Sequence, residues 1–412
     1  MIFLFVYLIN ADKLIYVIEY GRHGARNPEI ETPWNNDPMG LTAAGMRQQY
    51  LLGHAIRDHY KDYLDLQYNP KQFRVQSSYK ARTLASATAR VMGLYNSQPI
   101  SNLKREEAEH ALPPNDFDYS DWTEELGNRK LYRQIQLVPI ECEGEDNDYL
   151  LEPKIACPSV YDTKQKYMRE HKKDIQEFSK QNIHLYKEMI AYLNISEDYL
   201  GVENGLKIRN VILTQLYEGL LPNNKEKEAM DLLKRTKLLY YFKKFDCYHK
   251  IAYGNYKISK VMATPFLSYV KNTLVSASKG KTNGMKYEMF VASDTLLHGI
   301  LLQLGYYDVV EVPFSFILCF ELYQRNSSSF YVNVLYNTTS NKKYELDEFL
   351  KFIDEITYNE EDFWYYCLAY KPPILSKSSW LLLIIGIILL IVITCLFINY
   401  LMRRKDWQPM IM

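Results

Sequence analysis

An excess of charge of either sign is missing from this sequence: 49 Lys and Arg stand against 49 Asp and Glu in 412 residues. Zero net charge excludes a global field that would draw nucleic acid, and no basic stripe with interleaved aromatics supplies a local one. Cysteine is scarce, six in all, and no two have zinc-finger spacing. Histidine is equally dispersed: His54, His59, His110, His171, His184 and His249 show no ligand spacing and read as structural or exposed. No metal or other cofactor is therefore expected. Internal repeats and low-complexity tracts are also missing, which excludes a repeat architecture.

Charge is wholly absent from residues 380–402. As a helix this run would be roughly 34 Å long, enough to cross a bilayer. Arg403, Arg404 and Lys405 follow at once, so residues 403–412 are expected on the cytosolic side. A buried core helix is the alternative, and only a short tail follows to bury it. At the other end, residues 1–10 are almost wholly apolar and Ala11 follows, resembling a secretory signal of residues 1–11. A buried first strand is the alternative there; residues 14–20, LIYVIEY, already supply that strand. The layout expected is a single-pass type I membrane protein. Cys395 lies in the span, and Cys142, Cys157, Cys247, Cys319 and Cys367 lie outside it. Five is odd, so at least one is unpaired or pairs between chains. Glycan acceptor patterns at Asn194, Asn326 and Asn337 suit a lumenal domain.

What is present in abundance is hydrophobic patterning; the 36 tyrosines read as compositional bias. Residues 14–20 form a strand, followed by the turn GRHGARNP. A helical pattern opens at Leu41-Thr42 and runs through Tyr50 and His54. Residues 73–77 read as a second strand and 81–95 as a helix with one small-residue face. Alternation of this kind predicts an α/β core with a largely parallel sheet flanked by helices. From about 161 to 273 the pattern is helical instead: Ile175, Phe178, Ile183, Tyr186, Met189, Ile190 and Leu193 recur at helical spacing. The reading is an inserted α-helical cap, with the core at 12–160 and 274–375. Residues 287–292 are a buried strand, and 314–323 with 330–336 a hairpin around Arg325-Asn326-Ser327. Pro372-Pro373 starts a linker to the span.

The chemistry concentrates in Arg22-His23-Gly24-Ala25-Arg26, just past the first strand, where ligands of open α/β sheets bind. Guanidinium groups grip phosphate oxygens in a fork, so two arginines around a histidine suit a phosphoryl group. A neutral imidazole can attack phosphorus and carry it covalently. A surface turn with a satisfied histidine is the alternative. It would be preferred for a bare histidine, and is disfavoured for R-H-G-x-R straight after an apolar strand.

This turn resembles the signature of the histidine acid phosphatase family, the branch of the prostatic and lysosomal acid phosphatases. Further segments resemble it in order. They are Leu41-Thr42 with Gly45, Met46 and Gln48; Ser77 or Ser78 with Arg82-Thr83 and Ser86-Ala87; residues 292–295 (ASDT); and Glu321-Leu322. The resemblance covers most of residues 13–370, loosely in the helical insert, and lysosomal members share the signal-and-span layout. It implies that His23 is the nucleophile and becomes phosphohistidine. It also implies that Arg22, Arg26 and Arg82 clamp the phosphoryl oxygens, and that Asp294 protonates the leaving oxygen. Phosphoryl transfer is governed by positioning and charge, which three arginines can supply without metal. The expected function is an acid phosphatase hydrolysing phosphate monoesters.

One position departs. The family usually places a second phosphate-holding histidine just before the acid, and here Ser293 stands there. Ser293 can donate one hydrogen bond and brings no charge. His298, one helical turn on, reads as an ordinary helix-face residue. The departure leaves a rival open, a catalytically impaired ectodomain that binds phosphate ligands or is structural. A branch acting on inositol phosphates or phospholipids is a third reading. The resemblance further implies a Cys157–Cys367 disulfide, leaving Cys142, Cys247 and Cys319 unassigned. Expected partners are a phosphate monoester and the membrane; a homodimer is left open. Location is expected in a lysosomal or other endomembrane lumen, or at the cell surface.

Overall fold

Alternation along the strands decides the layering. In β1 (Lys13–Arg22), Tyr16, Ile18 and Tyr20 join one apolar cluster and Val17 joins another on the opposite face. The same split recurs in β3 (Tyr287–Ala292), after β2 (Phe73–Ser77). Phe290 and Ala292 face the first cluster, while Tyr287, Met289 and Val291 face the second. A sheet apolar on both faces needs helices on both. The second face is covered by α1 (Ala43–His59) and α2 (Ala81–Leu94), which also pack on each other. The computed structural model from which these elements are taken describes residues 12–30, 32, 37–95, 102–131, 135–200, 202–221, 224–236, 256–306, 312–326, 328–336, 340–368, 390–397 and 399–400.

Short helices α3 (Arg105–His110), α4 (Ser120–Leu126) and α5 (Pro153–Ala156) lead to a helical run. It comprises α6 (Pro158–Glu170), α7 (Lys172–Gln181), α8 (Ile183–Leu193), α9 (Val202–Tyr217) and α10 (Glu226–Thr236). Phe178, Tyr186, Met189 and Ile190 bury themselves with Ile208, Val211, Ile212, Leu232 and Leu233 in a third cluster, as helical spacing anticipated; Ile183 stays exposed. Then α11 (Tyr256–Ser278) runs under the sheet, continuing past residue 273, and packs against α12 (Asp294–Gln303) over the first cluster.

The sheet order is β2-β3-β1-β4-β5-β6, where β4 is Ile317–Asn326, β5 Ser329–Tyr336 and β6 Ser340–Glu345. Only β2-β3 and β3-β1 pair in parallel; β1-β4, β4-β5 and β5-β6 are antiparallel. The largely parallel sheet expected from the strand-helix alternation is therefore corrected to a mixed one. Helical crossovers precede the parallel pairings, whereas β4 to β6 are separated by two or three residues, too few to join parallel strands. The anticipated hairpin is β4-β5, with Asn326 opposite Ser329. Strand β6 and the helices α13 (Leu346–Ile356) and α14 (Glu360–Leu368) were not anticipated. In β6, SNKKYE offers almost no apolar signal, and it pairs on backbone hydrogen bonds at the sheet edge.

A disulfide joins Cys157, after α5, to Cys367 in α14, and both are fully buried in the first cluster. Among the described residues, Cys142, Cys319 and Cys395 form no disulfide. Residues 1–11, Cys247, Asn337, Pro372-Pro373, most of 380–402 and the tail lie outside the described residues. Within the expected span, 390–397 is helical and exposed, and no described helix is long and apolar enough to cross a membrane.

Candidate active site

Three parallel strands in register bring their carboxyl ends to one edge. Arg22 pairs with Ala292 and Ser77 with Val291, so the chain leaves β1, β3 and β2 side by side. Each exit delivers part of the site. His23 to Arg26 follow β1, Ser293 and Asp294 follow β3, and Arg82 sits in the first turn of α2, just after β2. Arg22 and Asp294, 272 positions apart in the chain, thus become neighbours, as the strand-end rule for open sheets requires.

The turn after β1 is held by α1 and α2. Thr42 caps α1, accepting from Gly45 N at 3.1 Å while its hydroxyl donates to the Ala25 carbonyl. Ala25 N donates to Gln48 Oε1 at 2.9 Å, and Gly24 N donates to Ser86 Oγ at 3.1 Å. A Cβ on Gly24 would lie 2.3 Å from the Gly45 carbonyl oxygen, and one on Gly45 would lie 2.0 Å from that of Ala25. Backbone therefore touches backbone here, and any side chain at either position would push the turn off α1.

His23 is buried, and its Nδ1 lies 2.7 Å from the Gly24 carbonyl oxygen. A carbonyl only accepts, so Nδ1 carries the proton and Nε2 keeps its lone pair. Burial, then Arg22, Arg82 and Arg26, push the imidazole well below its ordinary range. That shift favours the neutral ring, with its free lone pair on Nε2. Arg22 bridges the exits: Nη2 meets Asp294 Oδ2 at 2.9 Å, and Nη1 donates to the Val312 carbonyl. Burial, with Arg82 next, pushes Arg26 down to about 10. Burial also lowers Arg82, partly offset by Asp294 and Glu152. Three guanidinium groups gathered around one imidazole repel one another and favour an anion between them. The buried Nε–H groups of Arg22 and Arg82 have no acceptor among the described residues, and phosphoryl oxygens would supply them.

Residues 28–337 match the family model described as the histidine phosphatase superfamily, branch 2. The chain belongs to this superfamily. The match begins just after Arg26, so the Arg22–Arg26 turn stands on its own geometry. Lysosomal acid phosphatase of Xenopus laevis is 24% identical over 360 residues, covering 83% of this chain and 73% of that one. Prostatic acid phosphatase of Rattus norvegicus is 27% identical over 359 residues, covering 82% of each. Among solved structures, the phytase from Citrobacter braakii shares the fold with a TM-score of 0.55 at 15% identity, over 86% of this chain and 99% of that one.

In this histidine phosphatase, Ser293 is buried at the N-cap of α12, and its carbonyl accepts from Tyr20 Oη at 3.0 Å. His298 lies on the same helix, half-buried. Several supporting residues escaped the sequence reading. Gln49 Nε2 donates to the Arg22 carbonyl at 3.0 Å and to Ser315 Oγ at 3.0 Å. Arg90, fully buried, pairs with Glu19 and reaches the Arg22 carbonyl, while Tyr287 also donates to Glu19. Nothing local marks these residues as site supports; only their partners do.

A carboxylate pair lies beside Arg82. Glu152 is buried, 3.4 Å from Lys80 Nζ and 3.5 Å from Lys154 Nζ. Burial pushes nearby Asp148 up to about 6, with Glu152 and Glu143 adding to it. The folded protein thus holds this proton more tightly than the unfolded chain. The carboxyl's contribution to stability is complete below the ordinary value of 3.8 and is lost as pH rises through about 6. Asp148→Asn, which still accepts from Leu151 N, should be more stable than wild type at pH 7.5 by about 3 kcal/mol and no more stable at pH 3.5. Urea titrations at the two pH values check this; a variant that tracks wild type at both would place the proton elsewhere.

Proposed function

We propose that the chain is an acid phosphatase that hydrolyses phosphate monoesters through a phosphohistidine on His23. The observation that carries this reading is the buried His23 ring, its Nδ1–H directed at the Gly24 carbonyl, set among three arginines with Asp294 bridged to the first. Arg22, Arg26 and Arg82 take the phosphoryl oxygens. His23 Nε2 attacks phosphorus, the P–O bond to the alcohol breaks, and the leaving oxygen takes its proton from Asp294. Water then attacks the phosphohistidine, Asp294 recovers a proton from it, and phosphate leaves with imidazole restored. Acid pH favours a proton on the Asp294 carboxyl, while burial and the three arginines favour the neutral His23 ring. A phosphate-release assay on the folded chain between pH 4 and 7 tests this. Absence of turnover with any simple monoester, in protein that binds phosphate, would favour the impaired ectodomain instead.

The remaining assignments belong to the same proposal. Residues 1–11 act as a signal, residues 12–375 form the phosphatase domain with the helices α7 to α10 as its cap and α11 part of the core, and 380–402 anchor it with 403–412 cytosolic. The uncharged run and the Arg403-Arg404-Lys405 flank support the anchor. Thr214 of α9 donates to the Arg26 carbonyl at 2.9 Å, which supports a cap over the site. Exposed Asn194, at the left-handed end of α8, supports a glycosylated lumenal face. The lysosomal names of several relatives support an endolysosomal location.

Ser293 carries the second reading, an enzyme weakened by loss of one cationic donor. A hydrogen bond to a charged group contributes about 1.5–3 kcal/mol against about 0.5–1.5 for a neutral one. Ser293→His is therefore expected to raise catalytic efficiency, or inhibition by phosphate, about tenfold at pH 5. The gain should fade as pH rises and the added imidazolium discharges. A folded variant unchanged in both quantities would show that position 293 does not contact phosphate. Activity appearing in the variant alone would make the natural chain an inactive relative.

A further inference from the structure

The loop that leads into β4 is built against the site from below. Arg22 N donates to the Phe316 carbonyl at 2.8 Å, and Arg22 Nη1 donates to that of Val312. Between these contacts, Ser315 adopts φ of +61°, a left-handed conformation that a non-glycine residue rarely takes. Three hydrogen bonds hold it there. Ser315 N donates to the His23 carbonyl at 3.1 Å, Gln49 Nε2 donates to Ser315 Oγ at 3.0 Å, and Ser315 Oγ donates to Gln48 Oε1 at 3.4 Å. Local strain that persists only because its surroundings insist on it marks a position where geometry matters.

What the turn achieves is the placement of Phe314. Its ring lies under the Arg22 guanidinium, 4.1 Å from Cζ to the ring centroid, and packs tilted against the His23 imidazole at 5.7 Å. On its other side Tyr217, the last residue of α9, meets it edge-on at 5.9 Å. Phe314 is only 8% exposed. A guanidinium ion stacked on a buried aromatic face is held in plane and attracted by the ring quadrupole. The Arg22 plane is then fixed by the ring at its face, by Val312 and Asp294 at its edge, and retains its Nε–H for a ligand oxygen. His23 is oriented separately, by Gly24.

From this geometry we propose that Phe314 is a positioning residue for phosphate recognition, holding the Arg22 guanidinium in the plane that meets the phosphoryl group, with the strained Ser315 turn as its mount. The proposal rests on the phosphomonoesterase reading of the same site. Arg22 meets the phosphoryl group in substrate and product alike, so losing its alignment weakens both forms of binding. That raises KM more than it lowers kcat. The loss of a buried cation–π contact is on the order of tenfold in binding.

The test compares Phe314→Leu, which keeps apolar bulk without a π face, with Phe314→Tyr, which keeps the ring. In Phe314→Leu the inhibition constant of inorganic phosphate and KM should both rise about tenfold, while kcat falls by about threefold or less. Phe314→Tyr should restore both constants to near wild type. If Phe314→Leu does not accumulate as folded protein, Phe314→Met replaces it, since its flexible thioether fills irregular gaps. Phosphate constants in the Leu or Met variant within twofold of wild type would overturn the proposal. So would equal loss in Phe314→Tyr, which would show a shape requirement instead of a π face. A wild-type protein that neither turns over nor binds phosphate would fail the functional reading itself, which is a different result from an active wild type matched by an equally active Leu variant.

Discussion

Replacing His23 with alanine is expected to reduce phosphate release by at least about a thousandfold, since removal of a covalent nucleophile leaves only binding and charge stabilisation. The fold should survive. The His23 backbone N–H donates to the Ala292 carbonyl, and its carbonyl accepts from Ser315 N, whatever the side chain. The arginines and Asp294 also remain, so phosphate should bind His23→Ala, and more weakly only by whatever the imidazole contributes. Acid-quenched wild type incubated with a radiolabelled monoester should retain label on a single histidine, and the variant none. Turnover within tenfold of wild type in a well-folded His23→Ala protein would remove His23 as the nucleophile. Asp294 or solvent would then have to deliver the attacking group.

Loss of the Cys157–Cys367 bridge should have the largest effect on stability. The two half-cystines are 210 residues apart, and the bridge ties the start of the helical run to α14 at the end of the core. In the chain-entropy account a cross-link closing so long a loop stabilises by about 4–5 kcal/mol, with engineered or relaxed cases giving less. The double replacement Cys157→Ala/Cys367→Ala should therefore lower the melting temperature by about 6 °C in calorimetry. Both positions are fully buried among apolar neighbours, so alanine leaves no unpaired polar group. A shift under about 2 °C would mean that packing of Phe363 and Trp364 on Tyr149 already holds α14 in place.

Much of the site was legible before the fold. R-H-G-x-R after an apolar strand is a local pattern, whereas Arg82 and Asp294 stood out only through the family resemblance. The strands, turn and helix starts that carry them were legible because they are set within a few residues. Gln49, Arg90 and Phe314 were not legible for the opposite reason. Gln49 and Arg90 merely fall inside expected helices, and Phe314 at the start of an expected hairpin strand. Their roles come from partners 27, 68 and 292 positions away, respectively, all at Arg22. Sheet direction was misread because the apolar character of β4 and β5 is the same in either orientation; the length of the connection decides it.

The sequence by itself determined which residue types exist to do the chemistry, the α/β alternation of the core and the helical insert, because these follow from side-chain class and short-range periodicity. Only the tertiary structure decided that β4 to β6 run antiparallel, that His23 keeps its lone pair on Nε2, and that Phe314 lies under Arg22. Strand pairing, burial and the choice of hydrogen-bond acceptor arise between segments far apart in the chain, and no local pattern encodes distance between them.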